Sequence, residues 1–391
     1  MNGPDPELLI VSNGQGEDEI AGLLLDRLAP GPERRAKIAA WAQVGDGARY
    51  DARGIARIGP PNILPSEGFG TVSLPAFLRD LRAGFVATYL RQARFALSLR
   101  GRRALVLAIG DIVPLAAGIL SGLRTVFLSS AKSAFYGGYD GHNGFERTLM
   151  ARAERVYTRD EKTALRLGKR GVKAAFVGNP MMDGLEGAED PGFRRPGILN
   201  VACLPGSRAD APANGRLLLA GLAVAGPGFQ GLFALPPGFE TEHFLTAPGP
   251  GWTPSDDPAG AGALTHKDGA RALLVEHRFG TVLRSADLAL GMAGTANEQA
   301  TGLGLPLVAV PGSGNQNAAY AAMKARYFGQ AAMTVAPQAQ TIAQALQALV
   351  GDPARQATMA EAGRALMGPP GATAAIAAHM EDLLGWEPAH G

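Results

Sequence analysis

Short apolar runs alternate along the chain with longer stretches in which apolar residues return every three or four positions. In the first half the short runs fall at 8–12, 37–44, 104–109, 125–128, 155–158 and 174–177, and in the second half at 198–203, 231–235, 287–290 and 306–310. Strand-length runs separated by helix-length patterns predict βαβ units, hence parallel sheets covered by helices on both faces. Between the halves, 184–197 is rich in Gly, Pro and charge and breaks the alternation, which marks a domain boundary. The pattern therefore divides the chain into a first domain at 1–184, a second at 197–368, and a last helix within 369–391. That helix is set off by Pro369, Pro370 and Gly371, with Thr373 as its expected N-cap and Leu384 at its end. The segment 227–269 is dense in Gly and Pro and predicts only one strand.

Length agrees with this division, because 391 residues exceed what one hydrophobic core usually organises. Hydrophobic residues at 46% against charged residues at 18% exclude a disordered chain, and a net charge of +2 gives no ground for a nucleic-acid partner. The longest apolar stretch, 104–120, is broken by Asp111 and Pro114 and falls short of the ~20 residues a membrane-spanning helix needs. The single cysteine, Cys203, allows no intramolecular disulfide, and no basic region precedes the short apolar run at 8–11, so a cytoplasmic location is expected.

Candidate chemistry sits at strand ends, where parallel sheets bind ligands. After the first strand come Asn13, Gly14, Gln15, Gly16, Glu17 and Asp18. A dinucleotide fingerprint would need a third glycine where Glu19 stands, and two acids at a helix N-terminus oppose a bound pyrophosphate. Asn13, Gly14 and Gly16 are thus expected to shape an acceptor loop, with Glu17 and Asp18 either catalytic or merely helix-capping. Asp111 ends the strand at 104–109 and is expected to face a cleft between the domains. It is either an N-cap or the base that removes a proton from an acceptor hydroxyl.

Asn179 and Pro180 close the first domain and suit a hinge, since proline holds the residue before it out of helical geometry. In the second domain, Gly206, Ser207 and Arg208 offer N–H groups, a hydroxyl and a guanidinium to a diphosphate. Gly294 and Thr295 open a helix whose free N–H groups would meet donor phosphates, with Glu298 placed for a ribose or sugar diol. Gln316 and Asn317, in a further strand-end loop, are expected either to bond sugar hydroxyls or, for Asn317, merely to cap the following helix. No Asp-x-Asp pair ends a strand and the six histidines show no ligand spacing, so neither a metal nor another cofactor is expected.

The stretch from Pro75 to Arg103 carries seven arginines against the lone Asp80, interleaved with Phe77, Phe85, Tyr89, Phe95 and Leu97 among other apolar residues. It reads either as a membrane-surface patch or as an amphipathic helix with solvated arginines.

In order, the Tyr-Thr-Arg-Asp-Glu run at 157–161, the Val-Gly-Asn-Pro-Met-Met-Asp run at 177–183, and the motifs at 204–208 and 294–298 resemble those of lipid A disaccharide synthase. They resemble more closely the bacterial proteins related to that synthase. The resemblance covers most of the chain. It implies the GT-B glycosyltransferase fold, two Rossmann-like doubly wound domains facing a central cleft, with a C-terminal helix crossing back to the first. It also implies an inverting transfer from a UDP-sugar and peripheral attachment to the inner face of the cytoplasmic membrane. The synthase's first loop is of a Gly-Glu-Ala-Ser-Gly-Asp type and differs from 13–18 here, so what carries over is transfer to a lipid or lipid-linked acceptor, not lipid A synthesis. A nucleotide-sugar 2-epimerase and a non-catalytic nucleotide-sugar-binding protein are the competing readings.

Overall fold

Two sheets organise the protein, each the centre of its own unit. In the computed structural model, residues 5–45, 47–60, 85–207, 209–236, 238–312 and 318–388 are described. One unit comprises 1–183 together with 370–391, and the other 184–369.

Among the described residues the first sheet has seven strands: β1 (Leu8–Ser12), β2 (Ile38–Ala42), β3 (Ala56–Arg57), β4 (Leu105–Gly110), β5 (Arg124–Ser129), β6 (Arg155–Thr158) and β7 (Ala174–Ala175). Their order is β3-β2-β1-β4-β5-β6-β7, and every pairing is parallel. Strands β1, β2 and β4 are buried at every position, which is why they read as unbroken apolar runs: both faces are covered. Leu8, Ile10 and Leu107 pack towards one face, against the helix Gln15–Leu28. Leu9, Val11 and Val106 pack towards the other.

The second sheet holds β8 (Leu199–Leu204), β9 (Phe229–Leu235), β10 (Trp252–Ser255), β11 (Gly262–His266), β12 (Arg271–Glu276), β13 (Leu288–Gly291), β14 (Leu307–Ala309) and β15 (Ala332–Thr334). Their order is β10-β11-β12-β9-β8-β13-β14-β15. Here the expectation of a wholly parallel sheet fails. β10 and β11, and β11 and β12, pair antiparallel, so 227–269 yields three strands where the pattern predicts one. Antiparallel neighbours need only a tight turn instead of a helical crossover. Gly269 supplies the turn before β12 at φ +93°, a left-handed conformation that glycine adopts without strain.

The last helix also departs from expectation. It spans Ala372–Leu384 and its N-cap is Gly371, at φ +112°, not Thr373. The capping oxygens come from Asp183, whose carboxylate accepts from the N–H of Gly371 (2.5 Å) and of Thr373 (2.7 Å). The Thr373 hydroxyl meanwhile accepts from Arg27 Nε (3.2 Å). Ile376 and Met380 are fully buried in the cluster that holds Leu24 and Leu28. Arg34 pairs with Glu381 (2.7 Å), Trp386 Nε1 donates to Glu7 (2.6 Å), and the Tyr157 hydroxyl lies 2.8 Å from His379 Nδ1.

Of the basic stretch from Pro75 to Arg103, residues 75–84 lie outside the described ones. The helix Phe85–Ser98 is amphipathic: Ala96 is buried and Phe95 meets Trp41 edge-on at 4.8 Å, while Leu90 is 52% and Leu97 40% exposed. Among the described residues no helix is long and apolar enough to cross a membrane.

Candidate functional sites, one in each unit

In an open α/β sheet, the ligand crevice opens where connections leave neighbouring strands in opposite directions. In the first unit that point lies between β1 and β4, since β2 flanks β1 and β5 flanks β4. The register pairs Ser12 with Ile109, which sets Asn13 beside Gly110. Asn13 Nδ2 donates to Asp111 Oδ1 at 2.6 Å, and the Val113 N–H donates to the same oxygen at 2.8 Å, making Asp111 the N-cap of the helix Ile112–Ser121. Gly110 sits at φ +129°, and a Cβ there would lie 2.0 Å from Asn13 Oδ1 and 3.2 Å from Glu17 Cγ. The approach of Asn13 and Glu17 to the strand end thus requires glycine on two counts.

The predicted acids take different places. Asp18 is buried and accepts from Ser12 Oγ (2.5 Å), which in turn lies 2.6 Å from the Tyr50 hydroxyl. Its carboxylate is held by the unit's interior. Glu17 approaches Ser130 Oγ at 3.5 Å. Burial raises the Glu17 pKa, with the charges of Asp111 and Asp18 adding to the shift. Burial likewise raises the Asp111 pKa, against the hydrogen bonds from Val113 and Asn13 and the Lys132 charge. A carboxylate displaced in that direction is a stronger base once ionised. Gly14 caps the helix Gln15–Leu28 in extended geometry, and Gly16 has open space around its Cα.

Sequence reasoning missed the other wall of this site. A small niche beside Asp111 is lined by Ser129, Lys132, His142 and Glu146 as well as apolar residues such as Phe127. Lys132 pairs with Glu146, and Glu146 closes a capping box with Asn143. His142 Nδ1 lies 2.8 Å from the Asp140 carbonyl and Nε2 lies 3.1 Å from Ser129 Oγ. Only a protonated Nδ1 can satisfy a carbonyl, so Nε2 is the acceptor in the neutral ring, and burial pushes the His142 pKa down. The available signal was the Gly-rich loop after β5, which brings Lys132 and His142 back to the strand ends.

In the second unit the corresponding point lies between β8 and β13. Gly206, at φ +96° with open space around it, and the exposed Ser207 follow β8; Arg208 lies outside the described residues. Gly294 caps the helix Thr295–Gly302 with no side-chain cap bond among the described residues, so the N–H groups of its first turn lack an intrahelical partner. Glu298 is buried and paired with Lys324, a residue in no strand-end motif and so not singled out from sequence. Asn297 Nδ2 donates to the Gly291 carbonyl (3.2 Å), and a Cβ on Gly291 would fall 1.8 Å from Asn297 Oδ1. A pocket of about 410 Å³, counted with its mouth, lies among Gly294, Asn297, Val310, Pro311, Lys324 and Phe328. Gln316 and Asn317 lie outside the described residues.

Asn179 and Pro180 are buried just before the end of the first unit's leading segment, with Asn179 accepting from the Met181 N–H (3.0 Å). Among the described residues no group of three or more His, Cys, Asp or Glu is arranged to hold a metal ion.

Solved structures match the chain over nearly its whole length. CalG4, the calicheamicin glycosyltransferase, superposes with a TM-score of 0.60 at 17% identity, covering 98% of this chain and 99% of its own. MurG from Acinetobacter baumannii gives 0.56 at 14%, covering 97% and 100%. The chain has the GT-B fold. UDP-GlcNAc 2-epimerase from Neisseria meningitidis, bound to UDP-GlcNAc, gives 0.54 at 14%, covering 96% and 99%. No protein-family model matches the chain, and no curated protein matches it in sequence. The GT-B fold that the resemblance implies is therefore the one found, and the parallel α/β units expected from the hydrophobic pattern are found apart from the antiparallel edge of the second sheet.

Proposed function

We propose that the protein is an inverting, metal-independent glycosyltransferase that passes a sugar from a UDP-sugar to a lipid or lipid-linked acceptor at a membrane face. The observation that carries this reading is the unlike chemistry of the two switch points. One presents a half-buried carboxylate, Asp111, whose pKa its partial desolvation raises and which Asn13 and Val113 hold at the end of β4. The other presents open helix N–H groups at Gly294 and Thr295 beside a pocket reached by Lys324.

In this reading the acceptor hydroxyl gives its proton to Asp111 and its oxygen bonds to the anomeric carbon. The bond from that carbon to the diphosphate breaks, and UDP leaves with the electron pair. The charge on the leaving group is met by the N–H groups after β8 and β13 and by Arg208. Glu298 exchanges part of its Lys324 contact for a ribose or sugar diol, and Gln316 and Asn317 hold sugar hydroxyls. The exposed Leu90 and Leu97, with the arginines of 75–103, support docking on an anionic membrane.

Radiolabelled UDP-sugar, extracted membrane lipids and a chelator test this directly. Wild-type protein is expected to label lipid. Asp111→Asn should lower turnover by ~10²–10⁴-fold, the usual worth of a general base, with calorimetric UDP affinity unchanged. Full turnover in Asp111→Asn would remove the base assignment, and absent UDP binding would remove the donor site.

A second reading, a nucleotide-sugar 2-epimerase, is favoured by the pair of raised carboxyls, Glu17 and Asp111, since an epimerisation needs both an acid and a base. Solvent deuterium entering the sugar of recovered UDP-sugar, without labelled lipid, would select it.

A further inference from the structure

The strand ends that carry Asp111 also carry an excess of hydrogen-bond acceptors. Ser12 is registered with Ala42 on one side and Ile109 on the other, so Gln43, Asn13 and the Gly110–Asp111 turn form a row across β2, β1 and β4. Parallel strands lie about 4.8 Å apart, so the row spans roughly 10 Å, the width of a sugar ring with its substituents.

Gln43 is 1% exposed; its N–H donates to the Ser12 carbonyl (2.7 Å), and its side-chain Oε1 is buried with no partner among the described residues. Gln92, 4% exposed on the helix Phe85–Ser98, donates Nε2 to the Gln43 carbonyl at 3.1 Å, and its Oε1 is likewise buried and unpartnered. Asn13 donates Nδ2 to Asp111 and its Oδ1 is in the same condition. Rotating the Gln92 or Asn13 amide by half a turn gives no relief, because it would set the carbonyl against the Gln43 carbonyl or the Asp111 carboxylate. Three amide oxygens, two just past the ends of β1 and β2 and one on the neighbouring helix, thus lack a donor among the described residues, and each such orphan weakens folding unless something completes it. A phosphate or carboxylate brings only acceptors and would meet Glu17 and Asp111 as like charges.

Building on the glycosyltransferase reading, we infer that this row is a subsite for a neutral, hydroxyl-rich group, the sugar end of a glycoside acceptor. Its hydroxyls donate to Gln43, Gln92 and Asn13, beside the hydroxyl that Asp111 deprotonates.

Saturation-transfer NMR on the full chain tests it, with methyl β-D-glucoside, octyl β-D-glucoside and glucose 6-phosphate as probes and UDP affinity measured on the same samples. The expected result is transfer to a neutral glycoside and none to the phosphate. Transfer to the octyl glycoside alone would narrow the class to amphiphiles. Gln43→Met, close in volume, should weaken glycoside binding at least tenfold while raising Tm, because it removes an unpaired buried carbonyl. If Gln43→Met does not fold, Gln92→Met is read the same way. Glucose 6-phosphate binding as well as the glycosides, unchanged binding in the variant, or a lowered Tm from an oxygen already satisfied by water would each overturn the subsite. Glycoside binding without UDP binding would keep the subsite and fail the transferase reading.

Discussion

At the scale of single residues, the first unit concentrates its constraints at Gly110 and Asp111. Gly110→Ala must accommodate a side chain at φ +129° with an atom 2.0 Å away, and should lose about 1–3 kcal/mol in a denaturant titration. A variant as stable as wild type would show that Asn13 moves freely. The two raised carboxyls, Glu17 and Asp111, carry a pH signature. Folding lifts their pKa above the unfolded value, so their favourable contribution is complete below that value and is lost as pH rises through the folded one. Asp111→Asn keeps an N-cap oxygen and removes the partly desolvated charge. It should therefore melt higher than wild type at pH 7, with the advantage shrinking below about pH 4, near the unfolded carboxylate pKa. A lower melting temperature at pH 7 would mean that the ionised carboxylate is stabilised by more than Asn13 and Val113. These residues were legible in the sequence because a Gly or Asp closing an apolar strand in a βαβ pattern has one place to go. Lys132 and His142 were not, because a loop rich in glycine carries no period from which their return to the strand ends can be computed.

At the scale of elements, the same contrast runs through the fold. Strands buried on both faces announce themselves as continuous apolar runs, as β1, β4 and β8 do. The antiparallel edge was hidden: β10 mixes the buried Trp252 with the exposed Thr253 and Pro254, a pattern too short to separate from loop. The last helix was foreseen but its cap was not, because the capping Asp183 lies 188 residues before Gly371, and local rules see only neighbours. Asp183→Ala strands two N–H groups and should cost about 1–2 kcal/mol, seen as faster hydrogen exchange confined to 372–384. Protection equal to wild type would assign the cap elsewhere. The helix also senses pH through His379, whose pKa burial lowers. A depressed histidine contributes stability that is present above its unfolded value, about 6.5, and lost as pH falls. Once the intrinsic rate is divided out, protection over 372–384 should fall as pH drops below about 6.5, and His379→Gln should flatten that dependence.

At the scale of the whole molecule, two units share one plan yet differ in how the chain makes them. Each has a switch point flanked by a strand ending in glycine against which an asparagine packs, Gly110 with Asn13 and Gly291 with Asn297. The second unit, 184–369, is continuous in sequence and owns a core that runs from Val201 to Met359. The first is not, since its core includes Ile376 and Met380 from the end of the chain. Fully burying a side chain of that size contributes about 1.5–3 kcal/mol, so losing both, with the Trp386 and Glu381 contacts, removes an amount comparable to the roughly 5–15 kcal/mol that keeps a domain folded. A fragment of residues 184–369 is therefore expected to unfold cooperatively and to bind UDP as the full chain does, while 1–183 alone should be molten until a 370–391 peptide is added. Calorimetric melts of the two fragments, with and without that peptide, decide the matter. A cooperative transition in 1–183 alone would show that the last helix is an appendage and not part of the first unit's core. Failure of 184–369 to bind UDP while folded would place essential donor contacts outside it.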